Sequence, residues 1–244
     1  MSLAGKHAVV TGGGTGIGRA IALALTQAGA NVTLLGRRVE PLKAVSEECG
    51  AYFTTCDVTD PMRVRMAMQY ARDRQGHIGI LVNNAGAASS APFHTLSEGD
   101  WRSAMAVNLD GVFHCTQAAI EPMLHKGEGR IVTVASTAGL HGYAYTAPYC
   151  AAKHGAVGLM RALAEEYGAK GVTANAVCPG FVDTEIVADA VRTIVKKTGR
   201  SEEEARAGLA RMNPSGRLIA PEEVAQLVVD LALSDRNGEA VELA

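Results

Sequence analysis

Short apolar runs alternate along the chain with longer stretches in which apolar residues return every three or four positions. The runs HAVVT (7–11), NVTLLG (31–36), AYFTTCDV (51–58), IGILVNNAG (78–86), RIVTVAS (130–136), VTANAVCPG (172–180) and AVELA (240–244) read as strands. Several are almost continuously apolar, as expected of strands covered on both faces of a parallel sheet. Helical periodicity occupies 17–29, 61–76, 97–124, 147–171 and 221–235. Pro61 and Pro221 open two of these helices, where a missing N–H costs nothing, and Gly29 and Gly76 close 17–29 and 61–76. Seven strand–helix alternations without a linker, repeat or composition break predict one domain over 1–244. Its fold class is α/β, a doubly wound parallel seven-stranded sheet with helices on both faces. Segment 183–213 stands apart. It is charged, helical in pattern and longer than a crossover needs, so it is expected to form a helical lid over a ligand.

Composition narrows the partners. The 244 residues are 48% hydrophobic and 20% charged with a net charge of -2, as in a soluble globular protein. No basic stripe is present, which argues against nucleic acid. No apolar stretch approaches the roughly 20 residues that span a bilayer, which argues against a membrane. The opening MSLAGKHAVVTGG lacks the charge and apolar core of a signal peptide. The cysteines at 49, 56, 115, 150 and 178 form no CxxC pair, so no metal site is expected, and reduced thiols point to the cytoplasm.

The first strand runs straight into Thr11-Gly12-Gly13-Gly14-Thr15-Gly16-Ile17-Gly18, and a helix follows. Glycines let the backbone turn sharply and let a pyrophosphate come close, while the helix start offers unpaired N–H groups. Thr11, Gly12, Gly14, Thr15, Gly16, Ile17 and Gly18 are therefore candidate cofactor contacts. A second stretch, YCAAK at 149–153, puts a phenol and an ammonium on one face of a helix. A nearby cation favours the phenolate, so the pair suits a tuned acid/base.

Taken in order, TGGGTGIG, NNAG at 83–86, Asn108, Ser136, YCAAK and Pro179-Gly180 resemble the short-chain dehydrogenase/reductase family. The resemblance runs from Lys6 to about Gly238 and leans toward the 3-oxoacyl-thioester reductases of that family. It implies a Rossmann-like fold, a nicotinamide cofactor, and hydride transfer between that cofactor and a carbonyl or secondary alcohol carbon. It further implies that Tyr149 is the acid/base and that Lys153 lowers its pKa and holds the nicotinamide ribose. Ser136 would bind the substrate oxygen. Asn108 matches the position whose backbone carbonyl holds a relay water.

The cofactor's identity follows from the end of the second strand. Relatives that prefer NAD place an acid where this chain has Gly36, and Arg37 and Arg38 follow it, suited to a 2′-phosphate. NADP(H) is favoured. Thr15 stands where many NADP-preferring relatives carry a basic residue, so NAD(H) stays open. Asp57 and Val58 match the adenine contact, and Asn84, Ala85 and Gly86 the segment along the cofactor, with Asn83 as a brace. Pro179, Gly180, Val182 and Thr184 match the segment that fixes the carboxamide and reaches the phosphates.

Substrate determinants are expected in 87–95, 137–146 and the lid. Ser136, His141 and Tyr149 are the candidate contacts, and Tyr143 and Tyr145 suggest a bulky or aromatic pocket. The substrate is a small carbonyl or alcohol compound, either a 3-oxoacyl/3-hydroxyacyl thioester or a cyclic or aromatic ketone. A non-catalytic dinucleotide-sensing regulator on the same fold is the alternative, but such a protein is expected to lose Tyr or Lys. The short tail after Gly238 is expected to weaken one tetramer interface or open the substrate side. A homo-oligomer, tetramer or dimer, is expected from apolar helix positions such as Trp101, Met105 and Met160.

Overall fold

The structure is a computed structural model that describes residues 2–244. Seven parallel strands, β1 (His7–Thr11), β2 (Asn31–Gly36), β3 (Tyr52–Thr55), β4 (Ile78–Asn83), β5 (Gly129–Val134), β6 (Val172–Pro179) and β7 (Ala240–Leu243), make one sheet. Their order is β3-β2-β1-β4-β5-β6-β7. The chain winds outward from β1 to β3, returns to β4, and winds out the other way. The reversal opens a crevice at the carboxyl ends of β1 and β4, where such sheets bind ligands.

Alternate residues along each strand feed two cores. Val10, Leu34, Val82 and Val132 point to the face covered by α1 (Gly16–Gln27), α2 (Val39–Cys49) and α9 (Pro221–Leu233). Val9, Leu35, Leu81 and Ile131 point to the face covered by α3 (Pro61–Gln75), α5 (Gly111–Lys126) and α6 (Ala147–Tyr167). Both sets are buried, so the sheet is dry on both sides.

The strands start within one residue of where the apolar pattern places them; β1 and β2 match it in full and the other five end sooner. β3 stops at Thr55 and β4 at Asn83, so 56–58 and 84–86 are loop at the carboxyl edge. The helix α2 is not among those the periodicity picks out. Only Leu42 and Val45 of it are buried, too few to show a face in sequence. The single helix expected over 97–124 is a rod with a defect: α4 (Glu98–Met105), a π turn (Ala106–Asp110), then α5. Segment 183–213 is two helices, α7 (Glu185–Thr198) and α8 (Glu202–Ala210). Gly199 in the left-handed region ends the first, and a Ser201–Glu204 capping box starts the second. Among the described residues no helix is long and apolar enough to cross a membrane, and no cluster of His, Cys, Asp or Glu could hold a metal.

Candidate active site

The loop from β1 into α1 is held from beneath. The Thr11 hydroxyl accepts the N–H groups of Asn84 and Ala85, each at 3.0 Å, and donates to Val82 O. The Asn84 side chain donates back to Thr11 O at 3.0 Å and Gly12 O at 3.2 Å. Thr11 and Asn84 were expected among the cofactor contacts. Their side chains are instead spent on tying the two loops together, because both strand ends need their loose backbone groups satisfied. Gly18 is required by packing, since a β-carbon there would lie 2.1 Å from Gly12 O.

Above this base, Gly16, Ile17 and Gly18 begin α1, so their N–H groups have no partner within the helix. Thr15 gives no side-chain cap, and the first turn carries no acid. Thr184 lies across the loop, its Cγ2 3.2 Å from where a Gly16 β-carbon would sit. A cleft of free donors at a positive helix end, with a hydroxyl residue opposite, fits a dinucleotide pyrophosphate.

Toward β2, Gly36 offers no carboxylate, and Arg37 and Arg38 are exposed. Arg38 faces Glu185 at 4.0 Å. Asp57 Oδ1 accepts from the Thr59 N–H at 3.0 Å and its hydroxyl at 2.8 Å, which holds the Asp57 carboxyl below the usual range. Val58 is buried, and its carbonyl sits 3.1 Å from His114 Nδ1.

The catalytic wall is built by β5, the π turn and α6. Ser136 Oγ accepts the Ala138 N–H at 3.1 Å, which leaves its own proton free to donate. Tyr149 stands in the first turn of α6 and Lys153 one turn on. The Lys153 ammonium is 5.6 Å from the centre of the Tyr149 ring and donates to Val134 O at 2.9 Å. Lys153 is only 3% exposed. Burial pulls its pKa down to about 8, with Cys178 acting weakly the other way. Burial pushes the Tyr149 phenol up to about 12, against a hydrogen bond with Ser136. Desolvation of the phenolate outweighs the Ser136 hydrogen bond at this position.

Asn108 is fully buried in the π turn. Its Oδ1 accepts the Ala87 N–H at 3.2 Å, and its Nδ2 donates to Ala87 O at 2.9 Å and Ala104 O at 3.0 Å. A β-carbon on Gly86 would lie 2.9 Å from Asn108 Oδ1 and 3.6 Å from Lys153 Nζ. The loop after β4 thus reaches the catalytic wall. Asn83 bonds Thr116 and Thr133 within the core, a brace as expected.

Beyond β6, Pro179 and Gly180 lead to Val182, which pairs with Ile219. Phe181 O and Asp183 N use the Ile219 side, so the Val182 N–H faces the other way and has no partner among the described residues. It is the donor a carboxamide would need. The residue that sets this segment, Asn213, escaped the sequence reading. Its Oδ1 accepts from Phe181 N at 2.8 Å, and its Nδ2 donates to Phe181 O at 3.0 Å and Arg217 O at 2.7 Å. Gly180 is required beside it, since a β-carbon would meet Asn213 Oδ1 at 2.3 Å. His141 is exposed, with Nε2 3.6 Å from Glu242 of β7. Lys153, Ser136, Tyr149, Asn108 and Gly86 converge; Arg37, Arg38 and Asp57 lie at the far end of the crevice.

A family model described as short chain dehydrogenase matches residues 6–194. The chain belongs to that family. The short-chain dehydrogenase is 40% identical over 236 residues to a granaticin polyketide synthase putative ketoacyl reductase of Streptomyces violaceoruber, covering 93% of this chain and 86% of that one. It is 38% identical to a D-beta-hydroxybutyrate dehydrogenase of Cupriavidus necator, over 94% of this chain and 92% of the other. The solved structure of a variant of actinorhodin polyketide ketoreductase with NADPH superposes with a TM-score of 0.94 at 34% identity, covering 98% and 95%. The short-chain dehydrogenase is thus an enzyme, an NAD(P)(H)-dependent oxidoreductase of carbonyl or alcohol carbons on a Rossmann-like fold.

Proposed function

We propose that the protein is an NADP(H)-preferring reductase of ketones, with Tyr149 as proton donor, Ser136 as the second donor to the substrate oxygen, and Lys153 and Asn108 as the proton supply behind them. One observation carries this reading. The Ser136 hydroxyl, oriented by the Ala138 N–H, stands in hydrogen-bond contact with the Tyr149 phenol, so two hydroxyl groups meet at one point with Lys153 one turn behind. Two donors converging on one oxygen suit a carbonyl that gains negative charge as it is reduced.

The bound dinucleotide supplies the hydride. Negative charge then builds on the carbonyl oxygen, where Ser136 and Tyr149 both donate. Tyr149 gives up its proton. Lys153, cationic below about pH 8, would stabilise the phenolate left behind, and Asn108 in the π turn would stand behind it in the proton supply. Gly16–Gly18 and Thr184 would hold the pyrophosphate and the Val182 N–H the carboxamide. Arg37 and Arg38, with no acid at Gly36, would hold a 2′-phosphate.

Relatives named as ketoacyl reductase and hydroxybutyrate dehydrogenase support a 3-oxo compound as substrate. Residues 1–244 act as one domain with 183–213 as the lid, in the cytoplasm, as a homo-oligomer. The dinucleotide-sensor alternative is not favoured, because the relatives carry the names of reductases and dehydrogenases. The test follows NADPH and NADH consumption with 3-oxo esters and cyclic ketones. NADPH turnover at least tenfold above NADH, reduced by about 10²–10⁴ in Tyr149→Phe, is expected for a lost general acid. Undiminished turnover in Tyr149→Phe would remove the mechanism.

A further inference from the structure

Five of the chain's eleven aromatic residues, Phe93, Tyr143, Tyr145, Tyr149 and Phe181, stand on the segments that border the catalytic edge. Tyr143 is central. Its hydroxyl donates to Thr137 Oγ1 at 2.9 Å, next to Ser136. Its ring meets that of Phe181 edge to face, with centres 6.4 Å apart and planes at 86°. Asn213 clamps Phe181 through both its N–H and its C=O. The Tyr143 ring is thus held through its hydroxyl, and the backbone that carries Phe181 through Asn213.

Tyr145 adds a separate observation. Its φ is +68°, and no other non-glycine residue among those described has a positive φ. Its carbonyl accepts the Ala91 N–H at 2.9 Å, tying loop 137–146 to the loop after β4. The Tyr145 side chain is 65% exposed, and Phe93, just past Ala91, is 75% exposed. Strain of this kind persists where the surroundings demand it and gathers at ligand sites. Here it accompanies two exposed rings on two loops bonded to each other, two residues past Tyr143.

We infer that this frame makes the site select ketones whose carbonyl is borne on a flat ring system over open-chain 3-oxoacyl compounds, with Tyr143 as the specificity-determining residue. The inference rests on the ketone-reductase reading above. Rings already immobilised lose little freedom when a second flat ring packs on them. An open chain must give up its own rotors and meets fewer aromatic contacts. The chemistry is unchanged: the carbonyl carbon gains a hydride from the reduced dinucleotide and the oxygen gains the Tyr149 proton, giving the secondary alcohol.

The experiment compares kcat/KM for 2-tetralone with that for ethyl acetoacetate in wild type, Tyr143→Ala and Tyr143→Phe. The ring ketone is expected to be preferred, and the ratio to fall about tenfold or more in Tyr143→Ala, the scale of a lost pocket contact. Tyr143→Phe keeps the ring and should hold the ratio within about threefold. A misfolded variant lowers both substrates and leaves the ratio alone. A second readout needs no turnover: 2-naphthol titrated into the protein with NADP⁺ should bind wild type about tenfold more tightly than Tyr143→Ala. A wild-type preference for the ester, a ratio unmoved in a Tyr143→Ala variant that still reduces the ester as wild type does, or no saturable 2-naphthol binding would each overturn the inference. Ester reduction lost in Tyr149→Phe would leave the ketone-reductase reading standing in that case. Neither substrate reduced and no 2-naphthol bound would bring down both.

Discussion

The catalytic wall and segment 183–213, which we propose as its lid, are built by different rules. In the wall, Lys153 and Asn108 are buried, and each functional side chain is fixed by backbone groups: Lys153 by Val134 O, Asn108 by Ala87 and Ala104, Ser136 by Ala138 N. In the lid, four buried residues, Val187, Val191, Ala205 and Leu209, form a small core of their own. Its ion pairs, Arg192–Asp189 and Arg206–Asp183, are about half exposed or more. Groups that make and break bonds need fixed geometry, and a fixed, charged interior is costly. A cover needs the reverse, a segment that opens without unfolding the sheet.

The sharpest way to break that comparison is to take the charge out of the wall. Lys153→Met should lower kcat by about 10²–10⁴, as for loss of a proton-relay group. It should also change how stability responds to pH. The free lysine pKa is near 10.5, while Lys153 in the fold is near 8. Between those values the unfolded chain holds a proton that the folded one lacks. Wild type therefore loses stability as pH falls from 10.5 to 8, by up to roughly 3 kcal/mol for this shift. The methionine has no such dependence. Unfolding curves at pH 8 and 10.5 should show the variant gaining on wild type at the lower pH. A gap independent of pH would mean that Lys153 is not charged at a cost in the fold.

The wall was legible in sequence because its logic is local. Tyr149 and Lys153 are one helical turn apart, and Ser136 closes a run of apolar residues. The glycine loop was legible for the same reason, although the bracing by the Thr11 and Asn84 side chains was not. The π turn was not, since Ala106–Asp110 continues the helical period and only backbone bonding reveals the defect. The helix α2 was missed because it buries so little. Asn213 was missed because its work is done 32 residues away, on the backbone of Phe181, where no spacing rule reaches. The contacts that position the lid's root are of this long-range kind, and the apolar pattern carries no trace of them.

Asn213 is where the two regions meet, and Asn213→Ala should cost less than the lysine change. Three hydrogen bonds at a buried position disappear, leaving polar groups of Phe181 and Arg217 to find water. A loss of about 1–3 kcal/mol is expected. If the lid unfolds apart from the sheet, hydrogen exchange should quicken through 183–213 while β4, β5 and α6 stay protected. Quickening spread evenly over the sheet would show that the two regions are one cooperative unit.

Arg206→Ala should have the smallest effect. Arg206 joins α8 to Asp183 at the foot of the lid, and both side chains are about half exposed. An exposed pair is screened by solvent and must hold two flexible side chains in one geometry, so its loss is expected to cost under about 1 kcal/mol. If 183–213 closes as the proposed lid, the cost falls on that segment, since the pair joins α8 to Asp183. Global melting should therefore move by a degree or two at most. The KM for substrate should rise about two- to threefold with kcat nearly unchanged, and the rise should vanish at high salt, where wild type has lost the pair as well. A change confined to kcat would place Arg206 with the wall rather than the lid, and the division of labour between the two regions would have to be redrawn.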